Sequence, residues 1–326
     1  MTNDNTRQES LNQALLPEEA LEQVKREVEH ALSKSPLLIR EYTKHLAMSQ
    51  GKYIRAVSVI TCAMDKEGRV AANAVKIAAA IEILHLATLV HDDIIDNADL
   101  RRGEVTLQKK YGKRTAVICG DYLLSMALKM GASIENKKDY LDLRLPDYVG
   151  RVCLGELNQH LNNHNLSLSV FRYLKIISGK TAALFEASYY AGAIFSGCSE
   201  AEAKKYKRLG YYVGMIFQLV DDCIDFEETV ETAYKPVQSD YEQGVITLPL
   251  IHALTKRQDL KERAGQSGLQ REEINKAVTE SGGITFTRAF VQRYYDKSVK
   301  VIEGLEADGD KQDKLMHILK KASRIG

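Results

Sequence analysis

Tryptophan is absent from this chain and proline occurs only 5 times, whereas alanine, leucine, lysine and glutamate are plentiful. A sequence so poor in helix breakers and so rich in helix formers favours helices. Alternating strand patterns and repeats of fixed period are missing too, so a single all-α domain fits best. Cysteine is scarce: residues 62, 119, 153, 198 and 223 form neither a CxxC pair nor a zinc spacing. An odd count without a signal peptide fits a reducing cytosol. Long apolar runs are also lacking. The longest region, Ile77 to Val90, is broken by Glu82 and His85 before it reaches the roughly 18 residues of a transmembrane span, so no such span is expected. Finally, 45 basic and 44 acidic residues leave a net charge of +1, which provides no global field for holding nucleic acid.

What the chain does have is a pair of acidic windows. Val90-His91-Asp92-Asp93-Ile94-Ile95-Asp96 is echoed by Val220-Asp221-Asp222-Cys223-Ile224-Asp225, each a DDxxD frame after a long apolar segment. In a helix, Asp92 and Asp96 are i,i+4 neighbours on one face, and so are Asp221 and Asp225. Like charges that close destabilise a bare helix, and at a helix C-terminus the dipole opposes them as well, so both windows call for cations. One solvated cluster at a helix end is commonplace. Two of them, with Ile/Ile or Cys/Ile at the same inner positions, favour a paired oxygen-ligand site for Mg²⁺. Arg101-Arg102-Gly103 follows the first window and reverses the sign of charge. Alone it reads as a wet basic loop; beside a magnesium-ready cluster it reads as half of a phosphate site, because arginine offers bidentate donors to phosphoryl oxygens. Lys180-Thr181, after Gly179 in an otherwise apolar segment, reads as a snorkelling lysine or as one aimed at a phosphate.

The first 16 residues are polar and expected to be disordered, with residues 17–326 forming one helical domain. Pro17-Glu18-Glu19 reads as a helix start and Ser35-Pro36 as its end, with a second helix to about Met48. Further helices are expected over Tyr53 to Met64, Val70 to Asn97, Thr115 to Met130, Val149 to Leu161, Ser169 to Phe195, Tyr206 to Phe226, Thr247 to Leu254, Arg271 to Ser281 and Phe286 to Leu319, the last broken at Ala307-Asp308-Gly309. Glu227 to Gly244 is polar, turn-rich and long enough to be a functional loop. The two windows are expected to meet across a central cavity.

Taken together, these residues resemble the trans-isoprenyl diphosphate synthases of the polyprenyl synthetase family, in particular long-chain, heptaprenyl- or hexaprenyl-like catalytic subunits or homodimers. The similarity runs from about Gly51 to Gly244. It is carried by Gly51-Lys52 with Arg55, Glu82 with His85, the motif His91 to Asp96, Arg101-Arg102-Gly103, Gly120-Asp121, Gly155-Glu156 with Gln159, Lys180-Thr181-Ala182, Gly214 with Phe217-Gln218, Asp221-Asp222 with Asp225, and Lys235-Pro236 with Asp240, Gly244 and Thr247-Leu248-Pro249.

The resemblance implies an all-α, isoprenoid synthase-type helical bundle around a central cavity. It implies that Asp92 and Asp96 bind two Mg²⁺ ions and Asp221 a third, three per active site, with Asp93, Asp222 and Asp225 in support. Arg101, Lys180, Thr181, Gln218 and Lys235 match positions that hold an allylic diphosphate; Lys52, Arg55, His85 and Arg102 match the isopentenyl diphosphate pocket. Partners implied are prenyl diphosphates and a second subunit, in a homodimer or a heterodimer with a small non-catalytic chain, in the cytoplasm and in contact with membrane only through the product. Departures are visible. Tyr53 and Ala56 replace an arginine and a proline usual in the family, Tyr234 a glycine, and Val245 a frequent lysine.

The chemistry agrees with that inventory. A diphosphate leaves once cations neutralise its charge, and the allylic cation then needs a dry, apolar pocket before the second substrate's double bond attacks it. His85 invites an acid–base role but is weighted as a diphosphate ligand, with a hydrogen-bonded core histidine as the plainer alternative. A class I terpene cyclase shares the fold but has no need of Lys52, Arg55 and Arg102; a non-catalytic helical subunit has no need of two complete windows. For product length, Thr88, Ala87 and Leu84 lie one and two turns before Asp92. With small Ala87 letting the tail pass, Met126 and Leu128 of the facing helix are the expected stop. A long-chain product is expected, with geranylgeranyl diphosphate as the runner-up.

Overall fold

A computed structural model describes residues 14–48, 51–134, 145–227, 241, 243–267 and 269–324. Among them the helices, in chain order, are α1 Pro17–Ser33, α2 Arg40–Met48, α3 Ile54–Ala63, α4 Ala72–Ile95, α5 Leu107–Tyr111, α6 Lys113–Ala132, α7 Leu145–His160 and α8 Val170–Ile177. A π-helical turn, Ser178–Ala182, leads into α9 Ala183–Phe195. Then follow α10 Glu200–Glu227, α11 Leu248–Lys256, α12 Gln258–Ser267, α13 Arg271–Ser281, α14 Gly283–Glu303 and α15 Gly309–Ser323. The all-α expectation holds, and most expected helices appear within a few residues of their bounds. Of the tail expected to be disordered, residues 1–13 lie outside the described residues, whereas Leu15 exchanges both backbone hydrogen bonds with Val70 at 2.9 Å. Most of the polar stretch after Glu227, with Tyr234, Lys235, Pro236 and Asp240, also lies outside them.

Four local features escaped the sequence reading. One is a two-stranded hairpin, β1 Leu100–Arg101 against β2 Glu104–Val105. Its two-residue turn, Arg102-Gly103, has both φ angles positive, at 53° and 83°, the twist that a tight hairpin needs and that glycine supplies readily. The second is the π turn at Ser178–Ala182, where one extra residue is accommodated in the helix. The third is α12, a short helix of mostly polar sequence, and the fourth is α5, only five residues long.

The chain divides into two compact units, Met1–Pro146 with Leu184–Gly210 and Glu303–Met316, and Asp147–Ala183 with Tyr211–Ile302 and His317–Gly326. The core of the first is α4, apolar on nearly all sides, so that Ala74, Ile77, Ala78, Ile81, Ile83, Leu84, Ala87 and Val90 are all buried. By length and composition α4 could cross a membrane, but most of it is buried within the protein against α1, α3 and α6. Facing α4, α6 buries a stripe of small and apolar residues, Ala116, Cys119, Gly120, Leu123 and Ala127, which lets the two helices lie close. The second unit packs α11 on α12 and α13, and α8 on α11.

Candidate active site

In the first unit the last turn of α4 carries the first window. Asp92 and Asp96 are half-buried, while Asp93 is only 6% exposed and accepts a 2.6 Å charged hydrogen bond from Nε of Arg101. Burial raises the Asp93 pKa above the usual carboxylate range, and Arg101 opposes that rise. Behind the window, the ring of His91 lies over Gly120, where a Cβ would come within 2.4 Å of its Nε2, and that nitrogen is 3.3 Å from Oδ1 of Asp121. The Gly120-Asp121 pair thus seats the helix that bears the aspartates.

The cations expected to hold isopentenyl diphosphate gather in the same unit. A Cβ on Gly51 would come within 2.9 Å of Nη1 of Arg102, so the hairpin arginine lies against the segment that carries Lys52. Lys52 itself is exposed. The Arg55 guanidinium stacks 4.7 Å from the centre of the Phe185 ring, and its buried Nε has no hydrogen-bond partner. Burial and the nearby Arg102 lower its pKa to about 10, with Glu82 acting the other way. Oε1 of Glu82 accepts the backbone N–H of Ala56 at 2.8 Å, a donor that the proline usual at this place would lack. Burial raises Glu82 and lowers Arg102; burial, then Arg55, Arg102 and Arg101, push His85 well below the ordinary histidine range. The direction of that shift favours the neutral imidazole over the imidazolium at His85. In that form it can donate one hydrogen bond to a diphosphate.

Of the residues expected to set product length, Leu84 and Ala87 are buried, and Thr88 is half-buried with its hydroxyl donated to the His85 carbonyl at 2.7 Å. Met126 and Leu128 are half-buried and flank the fully buried stripe of α6.

The second unit carries the other window on α10. Asp221 is exposed and Asp225 half-buried, whereas Asp222 is 1% exposed. Gln218 Nε2 donates to Asp222 Oδ1 at 2.9 Å, the Tyr173 hydroxyl donates to Oδ2, and the Thr181 hydroxyl donates to Gln218 Oε1 at 2.7 Å. Lys180 Nζ pairs with Oε2 of Glu156 at 2.9 Å. Gly155 explains how α7 reaches the π turn: a Cβ there would fall 2.2 Å from the backbone nitrogen of Lys180. Tyr173 and Glu156 therefore belong to this site, and sequence reasoning gave neither a role. Glu156 was legible as part of the Gly155-Glu156 pattern; Tyr173 reads as one more apolar-face residue of an amphipathic helix.

Among the described residues no three carboxylate, imidazole or thiol groups surround one point, so neither window is a closed protein cage. Two outer carboxylates per window are nevertheless the donor set that suits Mg²⁺, which takes one or two carboxylates and completes its shell with water and substrate phosphate.

Comparisons with known proteins point the same way. The family model described as Polyprenyl synthetase matches residues 36–281. A curated relative, "Heptaprenyl diphosphate synthase component 2" of Bacillus subtilis (strain 168), is 35% identical over 288 residues, covering 86% of this chain and 81% of the relative. The crystal structure of heptaprenyl diphosphate synthase from Staphylococcus aureus superposes with a TM-score of 0.86 at 31% identity, covering 96% of this chain and 99% of the other. A polyprenyl synthase from Caulobacter crescentus CB15, complexed with calcium and isoprenyl diphosphate, gives a TM-score of 0.86 at 30% identity, covering 95% and 96%.

Proposed function

From the premise that this chain belongs to the polyprenyl synthetase family and is a prenyltransferase, we propose that it adds isopentenyl diphosphate head-to-tail to an allylic prenyl diphosphate, giving a long-chain all-trans polyprenyl diphosphate. The observation that carries this reading is shared by the two windows: in each, the middle aspartate is buried and engaged by a neighbouring side chain, while the outer i,i+4 pair stands at least partly exposed. Asp92 and Asp96, and Asp221 with Asp225, would hold Mg²⁺, with three ions per site as the working number. When bound, the metal neutralises the diphosphate as the allylic C–O bond breaks. Lys180, Thr181, Gln218 and the terminal nitrogens of Arg101 orient the allylic diphosphate, with Lys235 added from outside the described residues. Lys52, Arg55, Arg102 and neutral His85 hold isopentenyl diphosphate; the partnerless Nε of Arg55 supports a ligand there. The calcium and isoprenyl diphosphate complexed with the Caulobacter crescentus protein support a divalent cation and a prenyl diphosphate as the kinds of ligand expected.

Long-chain synthesis is supported by the heptaprenyl diphosphate synthases among the relatives and by the small side chain of Ala87 on α4. A second subunit is supported by exposed apolar residues, Leu154 and Leu157 on α7 and Leu161 just beyond it, and separately Val117 and Ile118 on α6. A homodimer fits, and so does pairing with another component, as the name of the Bacillus subtilis relative suggests. The family match runs through both compact units, which supports treating residues 17–326 as one catalytic domain.

The test is to incubate the purified chain with Mg²⁺, isopentenyl diphosphate and farnesyl diphosphate and to separate the products by reversed-phase chromatography. Elongation is expected. A cyclic hydrocarbon made from the allylic substrate alone would indicate a cyclase, and no product, with or without a partner subunit, a non-catalytic chain. In Ala87→Phe, products should shorten to C15 or C20 if the tail passes that position; an unchanged distribution would remove Ala87 from the tail's route.

A further inference from the structure

Both oxygens of Asp222 are engaged although the residue is buried: Oδ1 accepts from Gln218 Nε2 and Oδ2 from the Tyr173 hydroxyl. A carboxylate accepts and does not donate. It therefore fixes the Gln218 side chain with its NH₂ toward Asp222 and its Oε1 toward Thr181, whose hydroxyl donates there at 2.7 Å. Threonine has one hydroxyl proton, and here it is committed to Gln218. Thr181 Oγ1 is left with lone pairs, and Gln218 with one further N–H.

We infer that Tyr173 and Asp222 are positioning residues that set the hydrogen-bond polarity of the allylic diphosphate site, so that Thr181 acts there as an acceptor and Gln218 as the donor. Rotated the other way, Gln218 would turn its carbonyl against a carboxylate and its NH₂ against Thr181. An acceptor at Thr181 suits water or a cation that arrives with the diphosphate, whereas the Gln218 N–H suits the anion itself. The placement of the groups serves this role. Tyr173 stands on α8 and Thr181 in the π turn that follows, while Gln218 and Asp222 stand one helical turn apart on α10, so the chain of hydrogen bonds clasps α10 to both segments. This inference rests on the function proposed above and goes beyond it in giving Tyr173 a role and Thr181 a polarity.

The test is a double-mutant cycle of Tyr173→Phe and Thr181→Val, read by calorimetric binding of an unreactive thio analogue of farnesyl diphosphate with Mg²⁺, together with KM for each substrate. Tyr173→Phe is expected to weaken the analogue about tenfold while leaving KM for isopentenyl diphosphate in place. The double variant should bind no more weakly than Thr181→Val alone, because the group that Tyr173 orients is gone. Affinity within about twofold of the parent chain, or losses that multiply across the cycle, would overturn the inference. If circular dichroism shows Tyr173→Phe unfolded, Asp222→Asn replaces it in the same cycle with the same expected and overturning results. A parent chain that elongates no primer would overturn the proposed function; an active parent with an additive cycle overturns this inference alone.

Discussion

The two acidic windows are near copies in sequence, yet their middle carboxylates are held by different physics. Asp93 is buried against a cation, Arg101, in a unit that also gathers Arg55, Arg102, Glu82 and His85. Asp222 is buried against neutral donors, the Tyr173 hydroxyl and the Gln218 amide. A buried ion pair offsets its desolvation only while both partners are present, and removing one strands a charge. A carboxylate held by neutral donors depends instead on hydrogen-bond geometry. The same DDxxD spacing therefore builds one anchor for a basic hairpin and one hub for a polar network, while in both places the outer aspartates remain at least partly exposed.

The largest effect should separate outer from middle aspartates. Asp92→Ala and Asp221→Ala are each expected to lower turnover by about a hundredfold or more while circular dichroism and melting stay near those of the parent, since they remove charge from ligand positions and not from a core. Near-normal turnover of Asp92→Ala at limiting Mg²⁺ would break the equivalence of the outer pairs.

Next in size is the division of substrates between the two clusters. Lys52→Ala and Arg102→Ala should raise KM for isopentenyl diphosphate about tenfold or more and move the allylic KM less; Lys180→Ala should do the reverse. Initial rates with each substrate varied in turn decide it. Equal shifts in both constants for all three variants would mean that the two clusters do not serve separate diphosphates.

A smaller effect tests the comparison itself through stability. Asp93→Asn leaves Arg101 without its carboxylate and should cost about 1–3 kcal/mol in denaturant unfolding, less at high salt because Arg101 is one-third exposed. Asp222→Asn keeps an oxygen for Tyr173 but sets one NH₂ against that of Gln218, a cost of about 1 kcal/mol with little dependence on salt. Identical salt responses would erase the distinction between ion-paired and neutrally bonded anchors.

Much of this was legible in the sequence, and the gaps have physical causes. Helices such as α1 and α4 announce themselves through breakers and apolar residues, and the outer aspartates through their i,i+4 spacing. Side-chain partners across helices are another matter. Nothing local says that Arg101 spends its Nε on Asp93, that Ala56 lends an amide to Glu82, or that Tyr173 reaches a residue 49 positions away. The hairpin was hidden because its strands are two residues long, and the π turn because its Ser-Gly-Lys-Thr-Ala sequence continues an ordinary helical pattern.

The smallest predicted effect follows from the crowding of charge in the first unit. His85 has its folded pKa well below its ordinary 6.5, because burial and three arginines disfavour the imidazolium. Below about pH 6.5 the unfolded chain binds a proton there that the folded chain refuses, so this contribution to stability is fully present above that pH and is lost as the pH falls toward the folded value. Asp93 and Glu82 work in the opposite sense: their folded pKa values are raised, so their contribution is present below the ordinary values of 3.8 and 4.5 and is lost as pH rises through the folded values. Between about pH 7.5 and pH 5.5 the histidine should dominate the difference that a His85→Gln substitution makes. The parent chain is expected to lose melting temperature over that interval and His85→Gln to lose less, with the two curves converging at the acid end. A parent and variant that fall in parallel would mean that His85 takes up its proton as readily in the folded chain as in the unfolded one, so that burial and the three arginines do not disfavour the imidazolium.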